Sequence, residues 1–412
     1  MVSEILEVQG HIIDSLILPK ILDEILNGGG SFDILRMRVG KRQTDSSSAR
    51  LRVSAPSTQR LTALLKRLER LGAVSVERRN VELAAARKNG VFPHHFYSTT
   101  NLPTLVRYRG RWRHVADIEM DCGIVVEPRT GRALCRAMNA ITRGDLVVCG
   151  SHGVKVLPLE RSRAQDVFQF MTSSVSSEKP KGRLIRELAR EIRAAKRAGQ
   201  KILVVAGPAV VHTGAAPYLT RLIEAGYVDV LFAGNGLATH DIESALYGTS
   251  LGNYLDRGVA AKDGHDHHMR AINTIRALGG IRHAVQRRAL TSGIMHACVR
   301  RGVRYVLAGS IRDDGPLPDV ITDTQEAQEA MRASVRGVGV ALMIASTLHA
   351  IATGNLLPAT VKTVCVDINP AVVTKLSDRG TFQNIGIVTD VESFLRELAR
   401  ELVPTRRATH HR

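Results

Sequence analysis

The sequence predicts an α/β protein in which a doubly wound, largely parallel sheet follows a ferredoxin-like α+β region and a small β-rich region. Three observations carry that expectation. Hydrophobic residues make up 44% of the 412 positions but aromatics only 4%, so the core is built from Ala, Val, Leu and Ile, as suits a helix-covered parallel sheet. The first hundred residues run strand–helix–strand–strand–helix–strand, the split pattern of a ferredoxin-like unit. Beyond about residue 183, apolar runs alternate with helical segments. A chain of this length exceeds one ordinary domain. The expected boundaries are 1–97 for the ferredoxin-like region, 98–178 for the β-rich subdomain and 179–412 for the parallel-sheet domain.

The elements follow in order. EVQGHIID reads as a strand, and Leu18–Leu26 as an amphipathic helix stopped by Gly28, Gly29 and Gly30. FDILRMRVG and ARLRVSA are strands. Ser57 and Thr58 offer caps for a helix carrying Leu61, Leu64, Leu65 and Leu68, ended by Gly72, after which AVSVERR is a further strand. TLVRYRG, DCGIVVEP, GDLVVCG and VKVLP are short strands separated by Gly and Pro. The Ser-rich stretch Thr172–Ser177 reads as a linker. After the helix Arg183–Ala198 come six buried strands, KILVVAG, VDVLFAG, VRYVLAG, VALMIAS, TVCVDIN and NIGIVTD. The last leads into the helix VESFLRELAREL, with Asp390 as its N-cap.

In a doubly wound sheet, ligands bind beyond the carboxyl ends of the strands. Those ends are Ala206-Gly207-Pro208, Gly234-Asn235-Gly236, Gly309-Ser310, Ser346-Thr347, Asp367-Ile368-Asn369 and Thr389-Asp390. Small residues let backbone amides approach a pyrophosphate, and a helix N-terminus adds partial positive charge. An acidic residue at a strand end can accept both hydrogen bonds of a ribose diol, a role open to Asp367 and Asp390. FAGNGLATHDIE begins as a dinucleotide fingerprint but has Thr239 where the third glycine would stand. Asn235 and Gly236 are the positions expected to touch a nucleotide. Thr239, His240 and Asp241 then begin the next helix or line its entrance.

Two further segments concentrate reactive side chains. KDGHDHHMRAIN places His265, His267 and His268 beside Asp263 and Asp266. Metal binding, acid–base chemistry and a plain polar loop all remain open, although the spacing is not that of a helical zinc pair. GRWRHVADIEMDCGIVV holds Glu119, Asp121 and Cys122 near Arg111, Arg113 and His114. Carboxylates there suit an amine and arginines a carboxylate. As a strand, the segment would turn Glu119 and Asp121 to one face and Met120 and Cys122 to the other.

The net charge is +18, but the basic residues are scattered over helix faces with few aromatics beside them. No nucleic-acid partner is expected. The five cysteines form no C-x-x-C pair, and the N-terminus lacks the pattern of an export signal. The longest apolar run, Val338–Ala352, is too short to span a bilayer. A cytoplasmic protein without a membrane partner is expected.

Several long segments carry a family resemblance: EVQGHIIDSLILPKILDEI, DIEMDCGIVV, GDLVVCGSHGVKV, FAGNGLATHDIESALYGTSLG, HHMRAIN and VDINPAVVTKLSDRGTFQNIGIVTDVESFL. Over essentially its full length the chain resembles the archaeal and cyanobacterial-type ornithine cyclodeaminases, which share a region named after lysine-ketoglutarate reductase/saccharopine dehydrogenase. The same region forms the C-terminal part of larger arginine-degrading proteins, and no arginine-hydrolysing domain is expected ahead of it here. The resemblance implies a Rossmann-like, deoxyhypusine-synthase-like sheet that departs from the usual glycine fingerprint. It also implies bound NAD, contacted at Asn235, Gly236, Asp314, Ser346, Thr347, Leu348, His349, Asp367, Asp390 and Val391. Asp314 and His349 are not singled out by the residues alone. The family often has alanine where this chain has Gly236, a change that keeps backbone contact and loosens the turn.

The activity so implied converts L-ornithine to L-proline and ammonia. A hydride leaves the α-carbon for NAD, the δ-amine displaces the α-amine, and the cyclic imine takes the hydride back. Such chemistry needs a base, a carboxylate anchor and a dry pocket. The residues nominated are Glu119 or Asp121 for the amine, Lys262 or Arg113 for the carboxylate, and His268 for proton transfer, with no metal. Assembly as a homo-oligomer is expected. The alternatives are an NAD(P)-dependent amino-acid dehydrogenase of saccharopine type and a non-catalytic NAD- or amino-acid-binding regulator.

Overall fold

The computed structural model describes residues 1–13, 16–40, 45–75, 79–157, 181–254, 266–313, 315–378 and 384–403. The chain forms two compact units, Met1–Phe170 with Leu357–Thr360, and Met171–Leu356 with Val361–Arg412.

The first unit opens with a four-stranded antiparallel sheet in the spatial order Ser31–Arg38, Ser47–Ala55, Val2–Gly10, Val74–Ser75. This is the ferredoxin-like arrangement expected from the element order. The strand Ser47–Ala55 alternates strictly, with Ala49, Leu51, Val53 and Ala55 turned inward. Helices Ile17–Asn27 and Thr58–Arg70 supply Leu18, Ile21, Ile25, Leu61, Leu64 and Leu68 to the same core. The Ser57 hydroxyl accepts from the Arg60 amide at 3.3 Å and caps the second helix, as its position predicts. The first strand is Val2–Gly10, not residues 7–14. Leu6 and Val8 alternate inward against Leu51 and Ala49, and the chain turns at Gly10, leaving Ile12 to plug the core from a turn.

The rest of this unit is a seven-stranded sheet in the order Val154–Val156, Thr104–Tyr108, Arg111–Ala116, Ala133–Arg136, Gly123–Val126, Leu146–Cys149, Glu82–Ala85. Its pairings are antiparallel apart from Arg111–Ala116 with Ala133–Arg136. Pairing of Glu82–Ala85 with Leu146–Cys149 brings a strand from upstream of residue 98 into this sheet. Gly123 is required where it stands, because a Cβ there would lie 2.4 Å from the Phe92 ring.

The second unit holds a seven-stranded parallel sheet in the order Val320–Ile321, Arg304–Ala308, Val230–Gly234, Lys201–Ala206, Val338–Ile344, Lys362–Asp367, Asn384–Val388. All six strands read from the sequence are present, with Val320–Ile321 added at one edge. Numbered by sequence among those six, the order is 3-2-1-4-5-6, the doubly wound Rossmann arrangement. Every residue of Val338–Ile344, and all of Lys201–Ala206 after its first lysine, is buried. That is why these strands read as unbroken apolar runs. Helix Val391–Leu402 packs on Lys181–Arg197 and Ala216–Glu224, and the Asp390 side chain accepts from the Ser393 amide at 3.0 Å as its N-cap. The expected linker Thr172–Ser177 lies outside the described residues.

Candidate active site

The strand order reverses between Lys201–Ala206 and Val338–Ile344, so the connections after them leave in opposite directions, the arrangement that sets a ligand crevice beyond the strand ends. The two ends are tightly interlocked. The Gly207 amide donates to the Ile344 carbonyl at 2.9 Å, and a Cβ on Gly207 would stand 1.8 Å from the Ala345 carbonyl oxygen. Ala345 itself adopts φ +47°, the left-handed region that costs a non-glycine residue about 1 kcal/mol. Next door, a Cβ on Gly236 would meet Pro208 at 3.1 Å, and one on Gly234 would meet His349 at 3.0 Å.

Helix Asn235–Tyr247 begins directly on this edge. The buried Asn235 side chain is an internal strut: its Oδ1 accepts from the Leu317 amide at 3.0 Å and from Thr239 Oγ1 at 3.3 Å. It ties the loop after strand Arg304–Ala308 to the helix start. Thr239, His240 and Asp241 lie in the second turn of this helix, not at its entrance. Asp241 is buried, and its two oxygens accept from the amides of Ile294 and Met295 at 2.7 and 2.8 Å, closing the N-terminus of helix Ile294–Arg301. Burial pushes its carboxyl up to about 6 against those two bonds.

On the other side of the crevice, Val338–Ile344, helix Leu348–Leu356 and Lys362–Asp367 form one strand–helix–strand unit. Asp367 follows Thr347 by about twenty residues, the spacing at which such units carry their ribose-binding carboxylate. Its Oδ1 accepts from the Asn369 amide at 2.8 Å, and the Thr389 amide donates to its carbonyl. Ser346, Asp367 and Asp390 thus sit at the ends of three neighbouring strands. His349 bonds the Ala308 carbonyl; burial outweighs that bond and lowers its pKa. Asp314 lies outside the described residues, next to Asp313, which accepts from the Ser310 amide. Three large apolar side chains stand exposed along this edge, Ile311 at 106%, Leu348 at 73% and Ile368 at 71%. Each follows the carboxyl end of a strand of this sheet, the edge at which a doubly wound sheet receives its ligand. The close-packed Gly207 turn, the small residues and Asp367 together fit a dinucleotide.

A second cluster in this unit involves residues the sequence did not bring together. His212, His240 and His268 come from three helices, with ring centroids 4.7 Å apart for the first pair and 6.4 Å for the second. Glu243 is fully buried. It bonds His240 Nδ1 at 2.8 Å, Thr249 Oγ1 at 3.0 Å and the Gly252 amide at 3.1 Å. Burial raises its carboxyl, but these bonds outweigh burial and hold it below the usual range. Thr249 Oγ1 also meets His267 Nδ1 at 2.9 Å. His212 bonds Ser250 Oγ at 2.7 Å, and burial beside His240 brings its pKa down to about 4. Lys262 and His265 lie outside the described residues.

In the first unit, residues 117–122 form a turn, so the alternation that a strand would impose on them does not hold, and the strand read in DCGIVVEP runs over Gly123–Val126. Asp121 has φ +61° and is exposed, whereas Glu119 and Cys122 are buried. The two carboxylates therefore do not share a face. Thr99 shapes the turn: its Oγ1 donates to the Glu119 carbonyl at 2.6 Å and accepts from the Cys122 amide at 3.0 Å. One donor-type atom from each of Glu119, Cys122 and Cys135 lies within 4.8 Å of the others. A hydrogen bond between these two free thiols, with burial, pushes Cys122 up, and the same hydrogen bond pulls Cys135 down. Cys135 Sγ is committed to the Glu119 carbonyl at 3.6 Å. Arg113 Nε is buried with no hydrogen-bond partner among the described residues.

Three family models cover the chain in succession. They are the LOR/SDH bifunctional enzyme conserved region over residues 3–102, the ArgZ-like C-terminal first region over 103–185, and the ArgZ-like C-terminal Rossmann fold over 186–398. The ornithine cyclodeaminase of Methanothermobacter thermautotrophicus is 54% identical over 96% of this chain and 97% of its own length. The chain belongs to the ornithine cyclodeaminase family. Among solved structures of the family, apo ArgZ, a cyanobacterial arginine dihydrolase, superposes with a TM-score of 0.85 at 39% identity. AgrE in ternary complex with ornithine and NAD+ matches with a TM-score of 0.53 at 41% identity. The chain is covered to 97% in both, yet spans only 58% and 57% of those longer proteins.

Residue reasoning found the strand-end residues of the family's Rossmann unit because each follows an apolar run. It passed over His212 and Glu243. The one local signal was His240 three residues ahead of Glu243 on a helix, a pairing distance that many solvated helix faces share.

Proposed function

We propose that this protein is an ornithine cyclodeaminase that converts L-ornithine to L-proline and ammonia with tightly held NAD. The observation that carries the reading is the 54% identity, running nearly end to end in both chains, with an ornithine cyclodeaminase. The crevice at the strand reversal supports it. Asn235, Gly236, Asp314, Ser346, Thr347, Leu348, His349, Asp367, Asp390 and Val391 are the residues proposed to hold NAD. Bound there, NAD supplies a reversible hydride acceptor, so it is used without net consumption. Asp367 accepts from the ribose hydroxyls, and the amides at Ser346 and Thr347, opening helix Leu348–Leu356, receive phosphate.

For the substrate, Glu119 handles the amine, with Asp121 as the exposed alternative. Arg113 or Lys262 anchors the carboxylate, and His268 moves a proton. Support for Glu119 over Asp121 is its burial, since a desolvated carboxylate binds an ammonium more strongly than an exposed one. We take the chain as three regions, 1–97, 98–178 and 179–412, in a cytoplasmic homo-oligomer. The breaks between the family models near 102 and 185 support both boundaries to within a few residues, with strand Glu82–Ala85 of the first region pairing into the sheet of the second. Among the described residues no helix is long and apolar enough to cross a membrane.

The test is incubation of purified protein with L-ornithine and substoichiometric NAD, following proline, ammonia and NADH absorbance. Equal proline and ammonia without NADH build-up is the expected result. Stoichiometric NADH would mean a net dehydrogenase, and NAD binding without any product a regulator.

A further inference from the structure

We propose that Glu243 is a positioning residue that locks His240 with its proton on Nδ1, leaving His240 Nε2 free to take and return a proton in ornithine turnover alongside His268. The inference rests on the cyclodeaminase reading and makes it more specific.

The argument is one of donors and acceptors. An ionised carboxylate only accepts. Glu243 Oε2 faces His240 Nδ1 at 2.8 Å, so that nitrogen carries a hydrogen. Nε2 is then the position that changes protonation, the arrangement by which a buried carboxylate orients a catalytic imidazole. The other oxygen, Oε1, accepts from the Gly252 amide and the Thr249 hydroxyl. Having donated its only hydrogen there, Thr249 Oγ1 must accept from His267 Nδ1 at 2.9 Å. One carboxylate thereby sets two imidazoles, one directly and one through a hydroxyl.

Location supports a functional role. His240 lies one helical turn beyond Gly236, on the helix that starts at the carboxyl end of strand Val230–Gly234. His212 follows the Gly207 turn of the neighbouring strand, and His268 opens the next helix. A structural carboxylate tying residues 249–252 to the helix would need only Thr249 and Gly252. The His240 and His267 connections are surplus to that task.

Glu243→Gln separates the two roles. The Gly252 amide is an obligatory donor, so the new side chain keeps its oxygen there and turns its NH2 group toward His240. Nδ1 must then accept, and the neutral imidazole carries its proton on Nε2. The expected result is a fall in kcat of about 100-fold or more, the usual range for losing a positioned base, with KM for ornithine unchanged within about threefold. His240→Gln, which leaves the carboxylate and its bonds to Thr249 and Gly252 in place, should lose as much. The double variant should be no worse than His240→Gln, because residues acting as a unit are not additive. Nitrogen-15 spectra of histidine-labelled protein, with His240 assigned by its variant, should show the Nδ1–H form in the parent and the Nε2–H form in Glu243→Gln. Wild-type turnover is measured first: its absence overturns the cyclodeaminase reading, while the spectra still decide the proton lock. Retention of kcat within about threefold in either single variant, a further loss in the double variant, or an Nε2–H imidazole in the parent overturns the inference.

Discussion

A Cβ on Gly207 would sit 1.8 Å from the carbonyl oxygen of Ala345, which places the two strand ends flanking the crevice in direct backbone contact. Both sides of that contact are constrained. Gly207 N donates to Ile344, and Ala345 is already at φ +47° with its amide bonded to Val366. Neither backbone can retreat without breaking a sheet bond. Gly207→Ala should therefore destabilise the protein by about 1–3 kcal/mol or more and weaken NAD binding with it. Thermal unfolding and calorimetric titration with NAD check this; an unchanged Tm would contradict it.

Among the described residues the Asp367 side chain bonds its own turn, through Oδ1 to the Asn369 amide, so its second oxygen is the one proposed for the ribose. Asp367→Asn should raise the Kd for NAD by about 10- to 100-fold, the range for a charged hydrogen bond lost, with little change in Tm. Equal affinity in the variant would move the ribose contact elsewhere.

Glu119 and Asp121, two of the three carboxylates in the 117–122 turn, should respond differently. Glu119→Gln is expected to cost about 10²- to 10⁴-fold in kcat, whereas Asp121→Asn should stay within about threefold. Asp121→Gly relieves the φ of +61° and should raise stability by about 1 kcal/mol. Steady-state rates and Tm together read both effects.

Stability should carry two opposed pH dependences over nearly the same window. Asp241 has a folded pKa of about 6 against 3.8 unfolded, so its contribution is full below pH 3.8 and is lost as pH rises through 6, by roughly 3 kcal/mol. His212 has a folded pKa of about 4 against 6.5. It binds fewer protons folded, so its contribution is present above 6.5 and lost as pH falls toward 4. Denaturant unfolding between pH 4 and 7 should show a steeper rise with pH in Asp241→Asn and a steeper fall in His212→Gln.

Asn235→Ala should release the Leu317 amide from its buried acceptor and cost about 1–3 kcal/mol. Hydrogen exchange at Leu317 should speed up in this variant even where global stability suffices to keep the rest protected.

Much of the parallel sheet was legible from the chain itself. Strands such as Leu203–Ala206 and Val338–Ile344 declare themselves because burial on both faces leaves no polar position in them. Ser57 and Asp390 were legible as caps because a cap bonds an amide three residues ahead. The segment around Glu119 was not. Alternation suggested a strand, but Thr99, twenty residues upstream, supplies bonds that curl it into a turn. The first strand was misplaced for a related reason: its partner, Ser47–Ala55, decides where pairing ends.

The sequence alone determined the class of the fold, the six main strands and the family, and it nominated the edge proposed for a dinucleotide. All of these follow from patterns with a period of two to four residues, or from long matching segments. Only the tertiary structure decided what each polar group does. Asn235 and Asp241, neighbours in the fingerprint region, became a strut to Leu317 and a cap for Ile294. Glu243 became the acceptor that links His240 to Thr249 and His267. Burial is the physical reason. A charged or amide group withdrawn from water must find its partners wherever the packed chain offers them, and those partners lie three to more than eighty residues away.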